Sequence, residues 1–283
     1  MTAPRYGIAE WYGHDLLALS PAERQRLAEA AQSRRKLPCP FTGNDCTKTG
    51  GVCSIRPYSA DGGRIAAGVG PNAVTCPNRF EQHRMLLGWL AEVVGFGTGA
   101  QMAREVPFMV GPSGTAAGMI DLVVAVDAHD LRWYGLEVQA VYFSGSGMGR
   151  EFAALADDDG ETAPFPLAHR RPDWRSSSAK RLMPQLQVKV PTLRRWGSKI
   201  AVAVDQPFYD SIGGPSPTPN RDLDSGDVIW LVSEAHDGQL VRRHWEVLTL
   251  EQTCDKLLAA RPVTRSAFEQ TLRDKLTPLG VPT

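Results

Sequence analysis

Three apolar runs separated by short turns constrain most strongly what this chain can fold into. Each run is long enough for a β-strand, and they cover residues 105–110, 119–126 and 132–143. Gly111-Pro112-Ser113-Gly114 separates the first two runs, and Asp127-Ala128-His129-Asp130 separates the last two. Because connections this short join neighbouring antiparallel strands, the pattern predicts an antiparallel meander.

The elements on either side of this meander predict the fold class. Ser20, Pro21 and Glu23 form a helix-capping pattern, so a helix should run to about Arg34. The other predicted elements are a helix from Asn78 that stops at Gly95, a helix over 181–196 that Pro191 breaks or kinks, strands over 199–204 and 228–233, and two C-terminal helices over 250–260 and 267–276. This order predicts an α/β fold, in which helices flank a mixed sheet.

The second and third strands each carry one carboxylate within an apolar run, Asp121 and Glu137. Because burying an unpaired carboxylate costs several kcal/mol, each needs a cation or hydrogen-bond donors. Alternate residues of a strand face the same side, so Glu137 and Gln139 point together, and Asp121 reaches that side if the register allows. Such an oxygen cluster suits Mg²⁺ or Mn²⁺. The alternative is a structural salt bridge from Asp121 to Arg132 or Arg104.

These residues resemble a known catalytic core. Asp121, a hairpin and then Glu137-Val138-Gln139 resemble the PD-(D/E)xK nuclease core, with Gln139 in place of the usual lysine and Ile120 in place of the usual proline. Glu105 matches an additional acid that many such sites carry. The resemblance implies a catalytic site of Asp121, Glu137, Gln139 and Glu105, in which the three acids hold Mg²⁺.

The glutamine changes the mechanism that this resemblance implies. A glutamine amide offers only neutral donors and an acceptor, so Gln139 can orient the attacking water or contact the scissile phosphate but cannot act as a general base. The metal would then have to supply the activation of water.

Four of the five cysteines fall within 38 residues. Cys39, Cys46, Cys53 and Cys76 have six, six and 22 residues between them. The segment over 37–76 is rich in Gly, Pro, Thr and Asn, which predicts a loop-rich four-cysteine module that needs an internal staple. Four thiolates around one metal ion would provide it. Unrelated buried thiols are the alternative, and Cys254 is predicted to be a core residue.

Together, the two motifs resemble NotI-type restriction endonucleases, a group that includes EagI-like enzymes. The resemblance covers roughly Cys39 to Trp230. It implies a homodimeric, Mg²⁺-dependent type II enzyme that cuts both strands of a GC-rich palindromic DNA site containing CGGCCG, with a cognate DNA methyltransferase in the same system. It also implies iron in the four-cysteine site, although sulfur ligands would suit zinc as well.

Local rather than global charge favours DNA binding. Lys and Arg balance Asp and Glu at 31 each, so there is no global positive field. Residues 164–200, however, contain nine basic side chains and one acid. We interpret this segment as an anion-binding face, and a solvated charged face is the alternative.

Six basic residues are candidates for contacting DNA: Arg170, Arg171, Arg175, Arg34, Arg35 and Lys36. A guanidinium can engage O6 and N7 of guanine together, so the first three could read a GC-rich site. Asp173, in the same loop, would accept from cytosine or position a neighbouring arginine. The last three lie beside the cysteine module and are candidates for phosphate contacts.

The composition predicts four parts: an N-terminal helical segment (1–37), the four-cysteine module (38–78), a nuclease core (79–240) and a C-terminal helical extension (241–283). The first 13 residues lack the pattern of a secretory signal, and no apolar stretch approaches the roughly 18 residues that a membrane helix needs. We therefore expect a cytoplasmic protein with reduced thiols and no membrane partner.

Two other functions remain open from the sequence. A structure-specific repair or junction-resolving nuclease would share the core but recognise the shape of DNA rather than its sequence. A non-catalytic, metal-stabilised DNA-binding protein would use the same acids only structurally.

Overall fold

The computed structural model describes residues 3–145, 147–259 and 263–277. Its strands are β1 (Arg5–Trp11), β2 (His14–Asp15), β3 (Val52–Asp61), β4 (Arg64–Gly68), β5 (Ala73–Val74), β6 (Gln101–Val110), β7 (Ala116–Asp127), β8 (Leu131–Val138), β9 (Phe143–Ser144), β10 (Arg171–Pro172), β11 (Ile200–Asp205), β12 (Val228–His236) and β13 (Gln239–Leu248). Its α-helices are α1 (Pro21–Gln32), α2 (Met85–Val93), α3 (Gly149–Ala156), α4 (Trp174–Ser177), α5 (Met183–Arg195), α6 (Gln206–Ser211), α7 (Leu250–Leu258) and α8 (Arg265–Lys275).

A six-stranded mixed sheet forms the larger layer, with the strand order β13-β12-β11-β8-β7-β6. The strands β6, β7 and β8 form the antiparallel meander that the short turns predict. Next, β11 runs parallel to both β8 and β12, and β13 returns antiparallel to β12. Helices flank this sheet, so the predicted α/β class with a mixed sheet is confirmed.

Both faces of this sheet are covered, and the alternation of residues decides which helix each side chain meets. Ala201 packs in the cluster that contains Leu90 of α2, whereas Val202 packs in the cluster that contains Leu186 of α5. Glu137 is the register partner of Val202 on the adjacent parallel strand. Its side chain therefore lies on the face that α5 covers.

A second sheet contains β2, β1, β3 and β4 in that order, with β5 beside β3. The prediction of a loop-rich segment over 37–76 is wrong for its second half, which holds β3, β4 and β5. The reason is long-range: β1 supplies a partner strand that local composition does not reveal. The predicted boundary at residue 37 separates two strands of one sheet, and the boundary after residue 240 falls inside β13.

The helix predicted from Asn78 begins as an α-helix only at Met85, because Gln82 and His83 leave helical geometry, whereas α1 follows its local signal. Ser20 and Glu23 form a capping box at the start of α1, as predicted. The predicted break at Pro191 is wrong, since α5 continues through it. Proline has no N–H, so the helix loses one backbone hydrogen bond at position 191. The burial of neighbouring residues such as Val190 and Leu193 offsets this loss. Of the predicted helix over 250–260, residue 260 lies outside the described residues.

The two sheets meet at β5. The backbone N–H of Val74 donates to Oδ2 of Asp205 at 2.5 Å, and its carbonyl accepts from the N–H of Val141 at 2.8 Å. These bonds hold Cys76, two residues later, beside the end of β8. In the parts of the chain that are described, no helix combines the length and the apolar character that a membrane span requires.

Candidate active site

Asp121 and Glu137 lie together on neighbouring strands. The register pair Leu122 and Leu136 places Asp121 opposite Glu137, which meets the condition that the sequence left open. The backbone N–H of Asp121 donates to Oε1 of Glu137 at 3.3 Å, and the N–H of Val138 donates to Oδ2 of Asp121 at 3.1 Å. Each carboxylate is thus held by the strand that carries the other.

The two carboxylates differ in exposure. Glu137 is 2% exposed, as the sequence predicts. The prediction of a buried Asp121 is wrong, because its strand lies next to the edge strand β6 and a cleft of about 420 Å³ opens beside it. The alternative salt bridges do not form either. Arg104 pairs with Glu81, and Arg132 lies over the ring of Phe96.

The environment of Glu137 changes its acidity. Burial raises the pKa of its carboxyl from 4.5 to about 7, and the negative charge of Asp121 acts in the same direction. The ammonium of Lys189 and the N–H of Asp121 lower the pKa but do not offset the burial. A pair of acids of which one is reluctant to ionise is typical of sites that take a cation or move a proton.

The lysine in this site was not predicted. Nζ of Lys189, from α5, lies 2.5 Å from Oε2 of Glu137 and 3.5 Å from Oε1 of Gln185. The sequence shows Lys189 only as one of the nine basic residues of 164–200 and indicates no specific role for it. One signal could have found it: the lysine sits within the apolar stripe of the helix, beside Leu186 and Val190, where a charge needs a partner.

Gln139 and Glu105 stand apart from this cluster. The Gln139 side chain is buried, and its Nε2 donates to the carbonyl of Ala140 at 2.5 Å rather than to a carboxylate of the acid pair. Glu105 lies between Arg104 and Val106, whose partners flank Asp121, but it is exposed and adopts a φ of +49°. In the residues that the structure describes, no three His, Cys, Asp or Glu side chains are arranged to hold a metal ion.

A φ in the left-handed region is uncommon for glutamate and costs roughly 1 kcal/mol. Here it interrupts the ladder between β6 and β7 directly opposite Asp121. Strain of this kind clusters at functional sites. Position 105 therefore belongs to the edge of the candidate site, although its carboxylate does not join the acid pair.

The four predicted cysteine ligands are all buried. β5 lies beside β3, and the N–H of Cys76 donates to the carbonyl of Cys53 at 3.2 Å. Burial raises the pKa of the thiols of Cys46, Cys53 and Cys76. Cys39 adds to the increase for Cys46 and Cys76, and Cys76 adds to it for Cys53, so the four thiols lie close enough to interact. Cys254 is half-buried on α7, outside this group.

A lysine accompanies the thiols. Lys48 is largely buried, and its ammonium donates to the carbonyl of Thr75. Burial lowers the pKa of Lys48, whereas the thiols of Cys76, Cys53 and Cys46 raise it. The positive charge thus stands next to a group of potential thiolates.

The cysteine module and Asp121 share a second cleft, of about 370 Å³. Lys48, Thr75 and Cys76 line one wall, whereas Asp121 and Gln139 line the other. Tyr142, Arg181 and Gln185 complete it. The guanidinium of Arg181 lies 3.7 Å from the centroid of the Tyr142 ring. One acid, Asp121, and two basic residues, Lys48 and Arg181, therefore line a space that is open to solvent.

A comparison with protein families shows which family the chain belongs to. The family model described as Restriction endonuclease NotI matches residues 22–244, which is most of the chain. The chain belongs to the NotI restriction endonuclease family. No curated protein matches the chain, and neither does any solved structure. The NotI match spans all four clustered cysteines, both acids and Lys189.

Membership of the NotI family implies a site-specific nuclease that binds DNA. Of the arginines predicted to contact it, Arg171 and Arg175 are exposed, on β10 and α4. Arg170 is buried instead: its Nη2 donates to Glu151 and to the carbonyl of Gly147, each at 2.6 Å. Because the guanidinium is buried in this ion pair with Glu151, the structure does not support the prediction that Arg170 contacts DNA.

The remaining basic candidates lie where DNA can reach them. Arg34, Arg35 and Lys36 are exposed and, with Lys48, line a hollow of about 220 Å³. The structure gives Asp173 a role other than the predicted reading of cytosine or positioning of an arginine. Its Oδ1 accepts from the N–H of Ser176 at 3.0 Å and caps α4.

Proposed function

We propose that this protein is a homodimeric type II restriction endonuclease that cuts both strands of a GC-rich palindrome containing CGGCCG by metal-dependent attack of water on the phosphodiester. The observation that carries the proposal is the acid pair of Asp121 and Glu137, of which Asp121 lines a cleft together with Lys48 and Arg181. The family match favours this function over a structure-specific repair nuclease and over a non-catalytic DNA-binding protein.

The donor set of this site fits Mg²⁺. Magnesium keeps several waters and takes one or two carboxylates together with substrate phosphate oxygens, so it needs no cage of protein ligands. Asp121 and Glu137 supply the two carboxylates, and burial together with the negative charge of Asp121 raises the pKa of Glu137. Glu105 would contribute if its side chain turned towards Asp121.

When bound, Mg²⁺ would lower the pKa of a coordinated water and stabilise negative charge on the phosphate. The protein's own groups would do the rest. The strand N–H groups fix both carboxylates, and Gln139, on the wall of the same cleft, would orient the attacking water or contact the phosphate by turning from Ala140. Its amide cannot accept the proton of that water.

The strand order supports a PD-(D/E)xK core. The two acids lie on the second and third strands of a meander, and β11 then joins the third strand in parallel orientation. Glu137 and Gln139 are separated by one residue at the end of β8, where the strand meets the cleft. We assign to this core the predicted residues 79–240, extended to the end of β13 at Leu248.

The four buried thiols fit one iron or zinc ion, which prefer soft sulfur ligands. Four thiolates around a divalent ion leave a net negative charge, and the ammonium of Lys48 would offset part of it. The side chains would need to turn to surround the ion. The metal would then fix the wall that the module forms beside Asp121.

For DNA binding, we assign Arg171 and Arg175 to the bases or the backbone of the site and Arg34, Arg35 and Lys36 to phosphates. A palindrome has two-fold symmetry, so a dimer presents one active site to each strand. A cognate methyltransferase would protect the host's own sites.

Digestion of plasmid DNA tests this function. We expect wild-type protein with Mg²⁺ to cut at a discrete palindrome containing CGGCCG, and sequencing of the ends would give the site. Cuts that depend on branched or mismatched DNA would instead support a repair nuclease. No cutting of any DNA by folded, metal-loaded protein would support the non-catalytic alternative.

A further inference from the structure

Lys189 places a positive charge beside the acid pair, where a PD-(D/E)xK core usually has a lysine. Gln139 cannot provide a positive charge, and its amide is turned to Ala140. Lys189 comes from a different element, α5, about 50 positions further along the chain, yet its Nζ lies 2.5 Å from Oε2 of Glu137. A cation is therefore present at the site, although not at the position where the motif carries it.

Stability alone does not explain this lysine. A buried ion pair is commonly no more stabilising than two apolar side chains of similar volume, because both charges lose water. The neighbours of Lys189 on α5, Leu186 and Val190, are apolar and buried. Methionine or leucine at position 189 opposite an apolar residue would continue this face without the loss of hydration.

The ammonium of Lys189 has enough N–H donors to bind a ligand as well as its protein partners. An ammonium has three N–H donors. Glu137 accepts one, and Gln185 lies at the limit of hydrogen-bond distance for a second. Lys189 also lines the cleft of about 420 Å³ that Asp121 borders. A third donor can therefore meet an anionic oxygen in that cleft without breaking the pair with Glu137.

We propose that Lys189 is a catalytic residue that contacts the scissile phosphate and supplies the positive charge missing at position 139. This inference rests on the proposed nuclease function. In this role, Lys189 binds a phosphate oxygen through one N–H, and it holds Oε2 of Glu137 through another, so that Oε1 stays directed at Asp121. The charge of the ammonium offsets negative charge that develops on the phosphate during attack.

The test compares Lys189→Met and Lys189→Arg with Arg26→Met, which removes an exposed charge from α1, outside the basic segment 164–200. Three quantities are measured: single-turnover cleavage of plasmid with Mg²⁺, Mn²⁺ binding without DNA by electron paramagnetic resonance, and thermal unfolding. We expect Lys189→Met to cut at least about 100-fold more slowly, in line with loss of one donor to a developing charge.

At a pH high enough to ionise Glu137, the same variant should bind Mn²⁺ as tightly as wild type or more tightly, because a positive charge next to the ion has been removed. Lys189→Arg should recover at least about a tenth of wild-type activity, and Arg26→Met should match wild type. Cleavage by Lys189→Met within about threefold of wild type would overturn the proposal. So would joint loss of Mn²⁺ binding and thermal stability, which would make Lys189 a structural residue.

The two levels of the account fail in different ways. If wild-type protein neither cuts DNA nor binds Mn²⁺ through Asp121, the nuclease function fails and the role of Lys189 falls with it. If wild type cuts and Asp121→Asn does not, while Lys189→Met cuts normally, only the role of Lys189 is rejected.

Discussion

Glu10 and Arg79 form a buried ion pair that joins β1 to the segment before α2. Nε of Arg79 lies 3.0 Å from both carboxylate oxygens of Glu10, and Nη2 lies 2.9 Å from Oε1. The hydroxyl of Ser54 donates to the same carboxylate at 2.8 Å. Because both charges are almost completely buried, each depends on the other.

We expect Glu10→Gln to lower the free energy of unfolding by about 3–5 kcal/mol, because the guanidinium of Arg79 is left buried without its counter-charge. Urea unfolding measures the change. Glu29→Gln, at an exposed position on α1, should change stability by less than about 0.5 kcal/mol. Replacing both partners with methionine should restore most of the loss. A Glu10→Gln variant as stable as wild type would show that the pair does not hold the two regions together.

Asp205 should make stability depend on pH. It is fully buried at the end of β11, and burial raises its pKa from 3.8 to about 7, although the N–H groups of Val74 and Phe208 lower it. The folded state therefore holds the proton over a pH range in which the unfolded state has lost it. Stability that is present below about pH 4 is lost as the pH rises towards 7.

From pH 5 to about pH 7 the folded state keeps a proton that the unfolded state has lost, which changes stability by about 1.36 kcal/mol per pH unit. Between pH 5 and pH 8, wild type should therefore lose about 3 kcal/mol more stability than Asp205→Asn. Subtracting the two urea titrations removes the contribution of every other titrating group. Parallel pH profiles for the two proteins would mean that Asp205 is ionised without penalty in the fold.

The cysteine module should bind metal. Protein purified without chelator should contain about one iron or zinc per chain, measured by elemental analysis. Cys53→Ser and Cys76→Ser should each lose the ion and unfold at lower temperature, since the metal supplies folding energy to the module. Cys254→Ser should keep both properties. Wild-type protein without iron or zinc would reject the four-thiolate site.

Arg181 should contact a DNA phosphate. Its guanidinium is stacked on Tyr142 at the wall of the cleft that holds Asp121. Arg181→Ala should weaken binding to all DNA sequences and reduce the salt dependence of the affinity by about one unit of slope. Fluorescence anisotropy at several salt concentrations, with Ca²⁺ in place of Mg²⁺, measures this. Arg26→Ala, at an exposed position on α1, is the control, and equal slopes for the two variants would place Arg181 outside the interface.

Local signals predicted much of the fold and the acid pair. The turns at 111–114 and 127–130 predicted the meander, and the meander brought Asp121 opposite Glu137. The strand β1 was missed because its partner β3 lies in a segment whose Cys, Gly and Pro content favours loops. The strand β13 was missed because the charges of Arg242 and Arg243 mask its pairing with β12.

Pairing between distant side chains could not be predicted. Lys189 and Glu137 are far apart in sequence, and only the packing of α5 on the sheet brings them together. Arg170 resembled an exposed basic residue until Glu151 proved to be its partner. Such pairs depend on the final positions of whole elements, which hydrophobic periodicity does not specify.

Cleavage of a duplex containing CGGCCG by wild type and by Asp121→Asn tests the central claim most directly. In Asp121→Asn, the amide oxygen can still accept from the N–H of Val138, so the fold should persist, but one carboxylate ligand is lost. Single-turnover rates with Mg²⁺ should fall by at least about 1,000-fold, while DNA affinity in Ca²⁺ and the unfolding temperature stay close to wild type. Asp127→Asn, at the exposed end of the same strand, should cut normally. Cleavage by folded Asp121→Asn at the wild-type rate would contradict the account.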